Sequence, residues 1–270
     1  MFYPVDLDMH DHGPIKQATA VLNPAESKRL LAKAVVSLPE IQDAYKDGNL
    51  LVSTCSTSAF ILQELTGEKM APHCYCIGMV ADGMLTTSAK DDREAARFFS
   101  KGERVTLPVL EYLDKFDLGD AVIKGGNAVD PYGNAGVLAS NAQGGTVGAL
   151  LSFIAVRGLP IIMPIGLEKL IPDVVEASNG WGQRTLDRSM GEKVWLVPVT
   201  SGLVITEIEA LGILAGVDAK MVAAGGIGGS EGAVVLLIEG TDKQLDKAWK
   251  ILEGIKGEKP IEVPRHSYTC

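Results

Sequence analysis

No apolar run in this sequence approaches the roughly 20 residues needed to cross a bilayer, because glycine, proline or charge breaks each one early. Basic residues are also in short supply: 25 Lys and Arg stand against 34 Asp and Glu, for a formal charge of −9, and no basic face stands out. Nucleic acids and acidic membranes both demand dense positive charge, so neither is an expected partner. Four cysteines (Cys55, Cys74, Cys76 and Cys270) are too few for a disulfide framework in 270 residues, which fits a reducing compartment. The opening MFYPVDLDMHDHGP lacks the basic start and apolar core of a secretory signal, so the expected location is cytoplasmic.

Metal-ligand spacing is equally sparse. Zinc sites typically space paired cysteines by two to four residues and need a second pair elsewhere, whereas strand alternation would set Cys74 and Cys76 on one face as small buried hydrophobes. His10 and His12 sit on a polar terminal segment and read as a solvated arm. No metal and no cofactor is expected.

Glycine, by contrast, is abundant, and it is densest in Gly119–Leu150 (GDAVIKGGNAVDPYGNAGVLASNAQGGTVGALL). Ala121-Val122-Ile123 reads as a short buried strand, followed by a loop of glycine and asparagine that permits close backbone approach. Gly144-Gly145-Thr146 then opens a helix, Val147 to Val156, whose free N–H groups and dipole would favour an anion.

Upstream, Asn23-Pro24-Ala25-Glu26 predicts a capped helix running to about Leu38, with Leu30, Leu31, Ala34, Val35 and Leu38 toward a core and Lys28, Arg29 and Lys33 in water. A second helix covers Ile41–Lys46, and Leu50-Leu51-Val52 is a buried strand. The turn Ser53-Thr54-Cys55-Ser56-Thr57-Ser58 leads into a helix at Ala59–Leu65. Five hydroxyls in six residues exceed what a helix cap needs, and the turn is a second anion cradle. Tyr75–Val80 and Met84–Thr87 read as strands around an Asp82-Gly83 turn, and Asp92–Ser100 as a short helix.

VSTCSTSAFILQEL resembles the strand, Ser/Thr turn and helix of ribose-5-phosphate isomerases and of the sugar-phosphate isomerases and CoA transferases sharing their fold. LEYLDKFDLGDAVIKGGNAVDP is similar to the isomerase segment ending Asp-Gly-Ala-Asp-Glu-Val-Asp-Pro, and GALLSFIAVRGLPIIMPIG to the later helix and strand of the same superfamily. The resemblance implies a doubly wound, Rossmann-like, largely parallel sheet and a phosphorylated or otherwise anionic small ligand. It also implies an assembly domain, hence a homo-oligomer. The isomerases use loop carboxylates for proton transfer; here Lys124, Asn127 and Ala128 occupy positions of Asp, Asp and Glu, and only Asp130 remains. Lys124 and Asn127 could bind an anion or a carbonyl oxygen. CoA transferases of this fold use a glutamate nucleophile, and Glu168, just beyond the proline-bordered strand Leu159–Ile165, is placed for that role or for a helix start.

The expected organisation is a Rossmann-like ligand-binding domain over 1–178, a connector over 179–192 carrying Trp181 and Arg184, a ferredoxin-like α+β domain over 193–264, and a tail. That second domain rests on strands or helices at Val194–Val199, Thr206–Ala215, Ala219–Ala224, Ala233–Glu239, Asp242–Ile255 and Pro260–Val263, with a glycine-rich loop at Gly225–Gly232. Candidate catalytic residues are Asp130, Glu168 and Lys124. Candidate ligand-binding residues are Ser53, Thr54, Cys55, Ser56, Thr57, Ser58, Gly125, Gly126, Asn127, Gly144, Gly145 and Thr146. An isomerase-like enzyme, a CoA-transferase-like enzyme and a non-catalytic metabolite sensor are the functions these residues allow.

Overall fold

The structure, a computed structural model, describes residues 1–7, 13–265 and 268–269; His10, His12 and Cys270 lie outside them. The chain is mixed α/β. Its centre is a six-stranded sheet in the order β12 (Leu203–Ile205), β10 (Ile161–Pro164), β7 (Ala121–Ile123), β2 (Asn49–Val52), β5 (Arg97–Ser100), β6 (Glu103–Val105). The first four strands run parallel, and β5 and β6 extend the sheet antiparallel.

These short strands form because apolar residues fill both faces, as a sheet covered on each side requires. Leu50, Val52, Ala121, Ile123, Ile162 and Ile205 face one core. There they meet α1 (Pro24–Ser37), α3 (Ser56–Thr66), α7 (Glu207–Ala215) and α8 (Asp242–Ile255). Leu51, Val122, Ile161, Met163 and Val204 face the other core, against α4 (Val109–Asp114) and α5 (Gly145–Leu150). A single helical turn of π type, Leu151–Ala155, extends α5. The helix α2 (Pro39–Lys46) closes the turn into β2.

Three small antiparallel sheets surround this centre. One has the order β1 (Lys16–Leu22), β14 (Val234–Gly240), β13 (Asp218–Ala224), and its buried Ala20, Leu22, Leu236 and Ile238 join the first core. The second has the order β11 (Trp195–Val199), β9 (Ala135–Ala139), β8 (Ala128–Val129). The third contains β15 (Tyr268–Thr269), β4 (Met84–Ser88) and β3 (Gly78–Ala81). A helix α6 (Val174–Ser178) packs on β11. Among the described residues, no helix is long and apolar enough to cross a membrane.

Several expected elements change. The strands expected to make a ferredoxin-like unit are shared out: β11 pairs with β9, and β13 and β14 take the N-terminal β1 as their third strand. The unanticipated β12 joins the large sheet, while Pro260–Val263 is not a strand. Arg97–Ser100 is strand β5 rather than helix, because Phe98 and Phe99 alternate between the two cores and Arg97 is buried against Glu68 and Glu94. Cys74 and Cys76 do not share a strand face; a 3₁₀ turn, Pro72–Tyr75, carries the chain there.

Capping holds the helix starts. Glu26 accepts from the Asn23 N–H at 2.9 Å and also from Lys256 and the Gly257 N–H, tying the start of α1 to the end of α8. At α7, Thr206 Oγ1 accepts from the Ile208 N–H, and Glu209 accepts from both the N–H and the hydroxyl of Thr206. Thr206 is fully buried. Thr206→Ala is therefore expected to cost about 1–2 kcal/mol, read as a lower urea midpoint at unchanged slope.

Candidate functional site

Because β12, β10, β7 and β2 are parallel, their carboxyl ends share one edge of the sheet, where open α/β sheets bind ligands. The hydrogen-bond ladder runs one step past the strands. Ser53 N–H donates to Ile123, Lys124 N–H to Ile162 and Ile165 N–H to Ile205, each at 2.9 Å. Ser53, Lys124 and the loop after Ile165 are thus held side by side.

Charge collects above this edge. Glu168, on a 3₁₀ turn after β10, receives Lys28 Nζ from α1 at 3.1 Å on Oε1, with Lys169 Nζ 3.9 Å from the same oxygen. Lys169 also donates to the Gly126 carbonyl at 3.1 Å, and Lys124 donates to the Gly125 carbonyl at 2.9 Å. Glu207, the first residue of α7, is completely buried; it accepts the Leu167 N–H on Oε2 at 2.8 Å, and the buried Ser27 hydroxyl stands against the same carboxyl.

Three buried polar atoms have no partner among the described residues: Glu168 Oε2, Glu207 Oε1 and Ser53 Oγ. Such atoms are costly in a protein interior and call for an explanation. The two carboxylate oxygens converge over Gly166. A β-carbon at Gly166 would collide with Glu168 Oε2 and lie 3.1 Å from Glu207 Oε1, so any larger residue there would displace the Glu168 carboxylate.

The two carboxyls are driven apart in acidity. Burial pushes Glu168 up, but the ammoniums of Lys169 and Lys28 outweigh it and hold it below the usual carboxylate range. Burial and the neighbouring Glu168 charge raise Glu207 to about 7. One carboxyl is ionised at neutral pH while the other is poised to keep its proton, the division of labour that acid–base chemistry uses.

Of the residues expected in the site, Ser53, Cys55, Lys124, Gly125, Gly126 and Glu168 gather here. A β-carbon on Gly125 would lie 2.5 Å from Cys55 Sγ, and one on Gly126 would lie 2.6 Å from Ile165 Cδ1. Within the hydroxyl-rich turn, Cys55 caps α3 by accepting the Ser58 N–H. Thr57 and Ser58 are buried, and Thr54 and Ser56 are half-buried. The glycine-rich hairpin also arrives: a β-carbon on Gly232 would lie 4.0 Å from Glu168 Cβ.

The remaining expected residues stand elsewhere. Asp130 is buried and saturated, accepting from the N–H groups of Tyr132, Asn134 and Val174 and from Asn134 Nδ2, so it anchors the β8–β9 turn and the start of α6. Asn127 turns its side-chain carbonyl to the Leu138 N–H. Gly144, Gly145 and Thr146 follow β9 rather than the end of β7. Gly144 lines a separate groove of about 930 Å³ with Asn141, Gln143, Trp181 and Arg184.

Lys28, Gly166, Lys169 and Glu207 were not expected in the site. Lys28 reads as a wet residue but is 8 % exposed. Its spacing from Leu31 and Val35 puts it on the apolar stripe, which was the available signal. Glu207 was hidden inside a capping sequence.

No family model matches the chain, and no curated protein or solved structure matches it at a significant level.

Two stability measurements check these assignments. Glu207 binds its proton more tightly folded than unfolded, so the stability this proton provides is present below about pH 4.5 and is lost as pH rises to about 7. Wild type should lose about 3 kcal/mol across that window relative to Glu207→Gln. Asp130 shows the opposite sign. Burial raises it, but hydrogen bonds from Val174, Asn134 and Tyr132 prevail and lower it. Asp130→Asn should cost about 2–3 kcal/mol at neutral pH, with the gap to wild type closing as pH falls below about 4.

Proposed function

We propose that the chain binds a small anionic metabolite over the carboxyl ends of its parallel strands and moves a proton on it, as an isomerase does. The observation that carries this reading is the convergence of two buried carboxyl groups, Glu168 and Glu207, over Gly166, with Glu168 Oε2 left unpartnered among the described residues. Helices on both faces of the parallel strands support a Rossmann-like reading of the large sheet.

In this reading, ionised Glu168 takes the proton from a carbon next to a carbonyl while protonated Glu207 gives one to the carbonyl oxygen. The reverse exchange at the neighbouring carbon completes the isomerisation. Positioned acid–base pairs of this kind contribute about 10²–10⁴-fold in rate. Lys169 and the Ser53 hydroxyl supply cation and donor for the anionic group. Asp130 plays no part, its oxygens being occupied by the turn it holds. The free Oε2 of Glu168 also favours a second reading, in which that oxygen attacks an acyl-CoA thioester as a CoA transferase glutamate does.

A thermal-shift panel of pentose and hexose phosphates and CoA thioesters, with inorganic phosphate and sulfate as controls, tests both readings. A ligand at a hundred times its Kd stabilises by about 2.7 kcal/mol, worth several degrees here. Sugar-phosphate binding with deuterium uptake from D₂O, lowered about 100-fold or more by Glu168→Gln or Glu207→Gln, is the expected result. Turnover should fall as pH rises through about 7, where Glu207 loses its proton. A shift with CoA thioesters alone selects the transferase reading, and no shift by any member overturns both.

A further inference from the structure

Lys124 is a half-buried ammonium with no carboxylate within 4 Å among the described residues. The other lysines of this edge, Lys28 and Lys169, both have one. Among the described residues its Nζ donates one hydrogen bond, to the carbonyl of the next residue, Gly125, at 2.9 Å. It leaves β7, between β2 and β10, at the centre of the edge where the site lies. The charged and titratable groups around it are Cys55 on the α3 turn, Cys76 after the 3₁₀ turn, and Lys169 on the β10 loop. Cys76 is buried with its thiol raised to about 12, and so contributes no thiolate at neutral pH. Lys169 donates to the Gly126 carbonyl at 3.1 Å, so the two ammoniums sit on consecutive carbonyls of one loop.

A lysine that braced a loop would gain from a counter-ion or from water. This one has a second ammonium for a neighbour, and both withdrawal from water and a nearby cation favour the neutral, nucleophilic amine. We propose that Lys124 Nζ is a nucleophile that forms a Schiff base with a carbonyl compound carrying an anionic group. The inference rests on the reading of this edge as an acid–base site and names the class of substrate it takes. Burial is the main cause lowering the Lys124 amine from its usual range; Cys55 opposes it, and Lys169 lowers it further.

The step balances with the groups at hand. The Nζ lone pair forms a bond to the carbonyl carbon, and the carbonyl π pair moves to oxygen, which takes the Glu207 proton. The nitrogen passes one of its protons to Glu168, giving a neutral carbinolamine. Glu168 returns that proton to the hydroxyl, water leaves, and the nitrogen lone pair closes the C=N⁺ bond. Water thus carries one hydrogen from the amine and one from Glu207. The iminium then acidifies the adjacent C–H for removal by Glu168, the step an isomerisation needs.

The test is reductive trapping of the intact, folded protein with glyoxylate, pyruvate or uncharged acetaldehyde and sodium cyanoborohydride at pH 7, read by peptide mapping. Expected is labelling of Lys124 at least tenfold above the exposed Lys243, Lys247 and Lys250 of α8, with the two oxo acids ahead of acetaldehyde. Removing the neighbouring cation by Lys169→Gln should shift the pH profile of Lys124 labelling upward, and Lys124→Arg should abolish the dominant label. Lys124 labelled no more than the α8 lysines in wild type overturns the inference without recourse to any variant. If Lys124 stays unlabelled while sugar-phosphate binding and deuterium uptake persist, the Schiff base falls and the acid–base reading stands. If Lys124 is trapped and no anion binds, the anionic-ligand reading falls and the nucleophile stands.

Discussion

Withdrawing a carboxylate and an ammonium from water costs several kcal/mol for each ion, and a buried pair is tolerable only where geometry returns that cost. Lys28 and Glu168 meet at 3.1 Å with side chains only 10 % and 12 % exposed. Most of what is chemically distinctive at the strand ends follows from this pair. Together with Lys169 it holds the buried Glu168 below the usual carboxylate range, and a buried negative charge then stands next to Glu207. Burial first, and this neighbouring charge second, let Glu207 retain a proton at pH values where a free glutamic acid would lose it. The pair also locks one oxygen of Glu168 and leaves the other without a partner.

The fold exists in part to deliver Lys28. Helix α1 lies against α3 and α7 on one face of the large sheet, and its start is fixed by Glu26, which joins it to the end of α8. Strand β1 brings the chain into α1 from the edge of β14. The N-terminal strand and the C-terminal helix therefore set the position of a lysine that acts at the middle of the molecule. This explains why the C-terminal elements pack into the same core as the parallel strands, with Leu236 and Leu252 beside Leu31 and Ile205.

What could be read in advance follows from which signals are local. Asn23-Pro24 with Glu26 marks a helix start wherever it occurs, and Leu50–Val52, Ala121–Ile123 and Ile161–Pro164 are apolar on both faces, so their element types were legible. Strand β12 was not: its apolar Leu203-Val204-Ile205 runs directly into the capping sequence of α7, and its pairing with β10 is what sets it in the large sheet. Arg97-Phe98-Phe99 was misread because its charged residue is buried against Glu68, 29 residues away, as well as against the nearby Glu94. The site was half legible for the same reason. Ser53, Lys124 and Glu168 each follow a recognisable strand, whereas Lys28 and Glu207 depend on where α1 and α7 dock. Asp130 matched a catalytic pattern but faces three donors of its own turn and a fourth, the Val174 N–H, from the start of α6, a fact of tertiary geometry that no motif contains.

The glycines of this edge serve a different purpose from the one their density suggests. Glycine-rich loops cradle anions when their N–H groups point at the ligand, and Gly144 and Gly145, with positive φ, have the flexible backbone such a reading expects. Yet those two stand away from the strand ends. At the edge itself Gly125, Gly126 and Gly166 need no left-handed conformation; each is glycine because a neighbouring side chain occupies the place of a β-carbon. Cys55 lies over Gly125, Ile165 over Gly126, and the two carboxylates over Gly166. Side chains from adjacent loops can therefore lie down across the strand ends and meet one another. An alanine at Gly166 would have to push the Glu168 carboxylate aside, which would loosen its pair with Lys28 and weaken the second cause, after burial, that raises Glu207. The acid–base character of the edge thus depends on a residue that has no functional group.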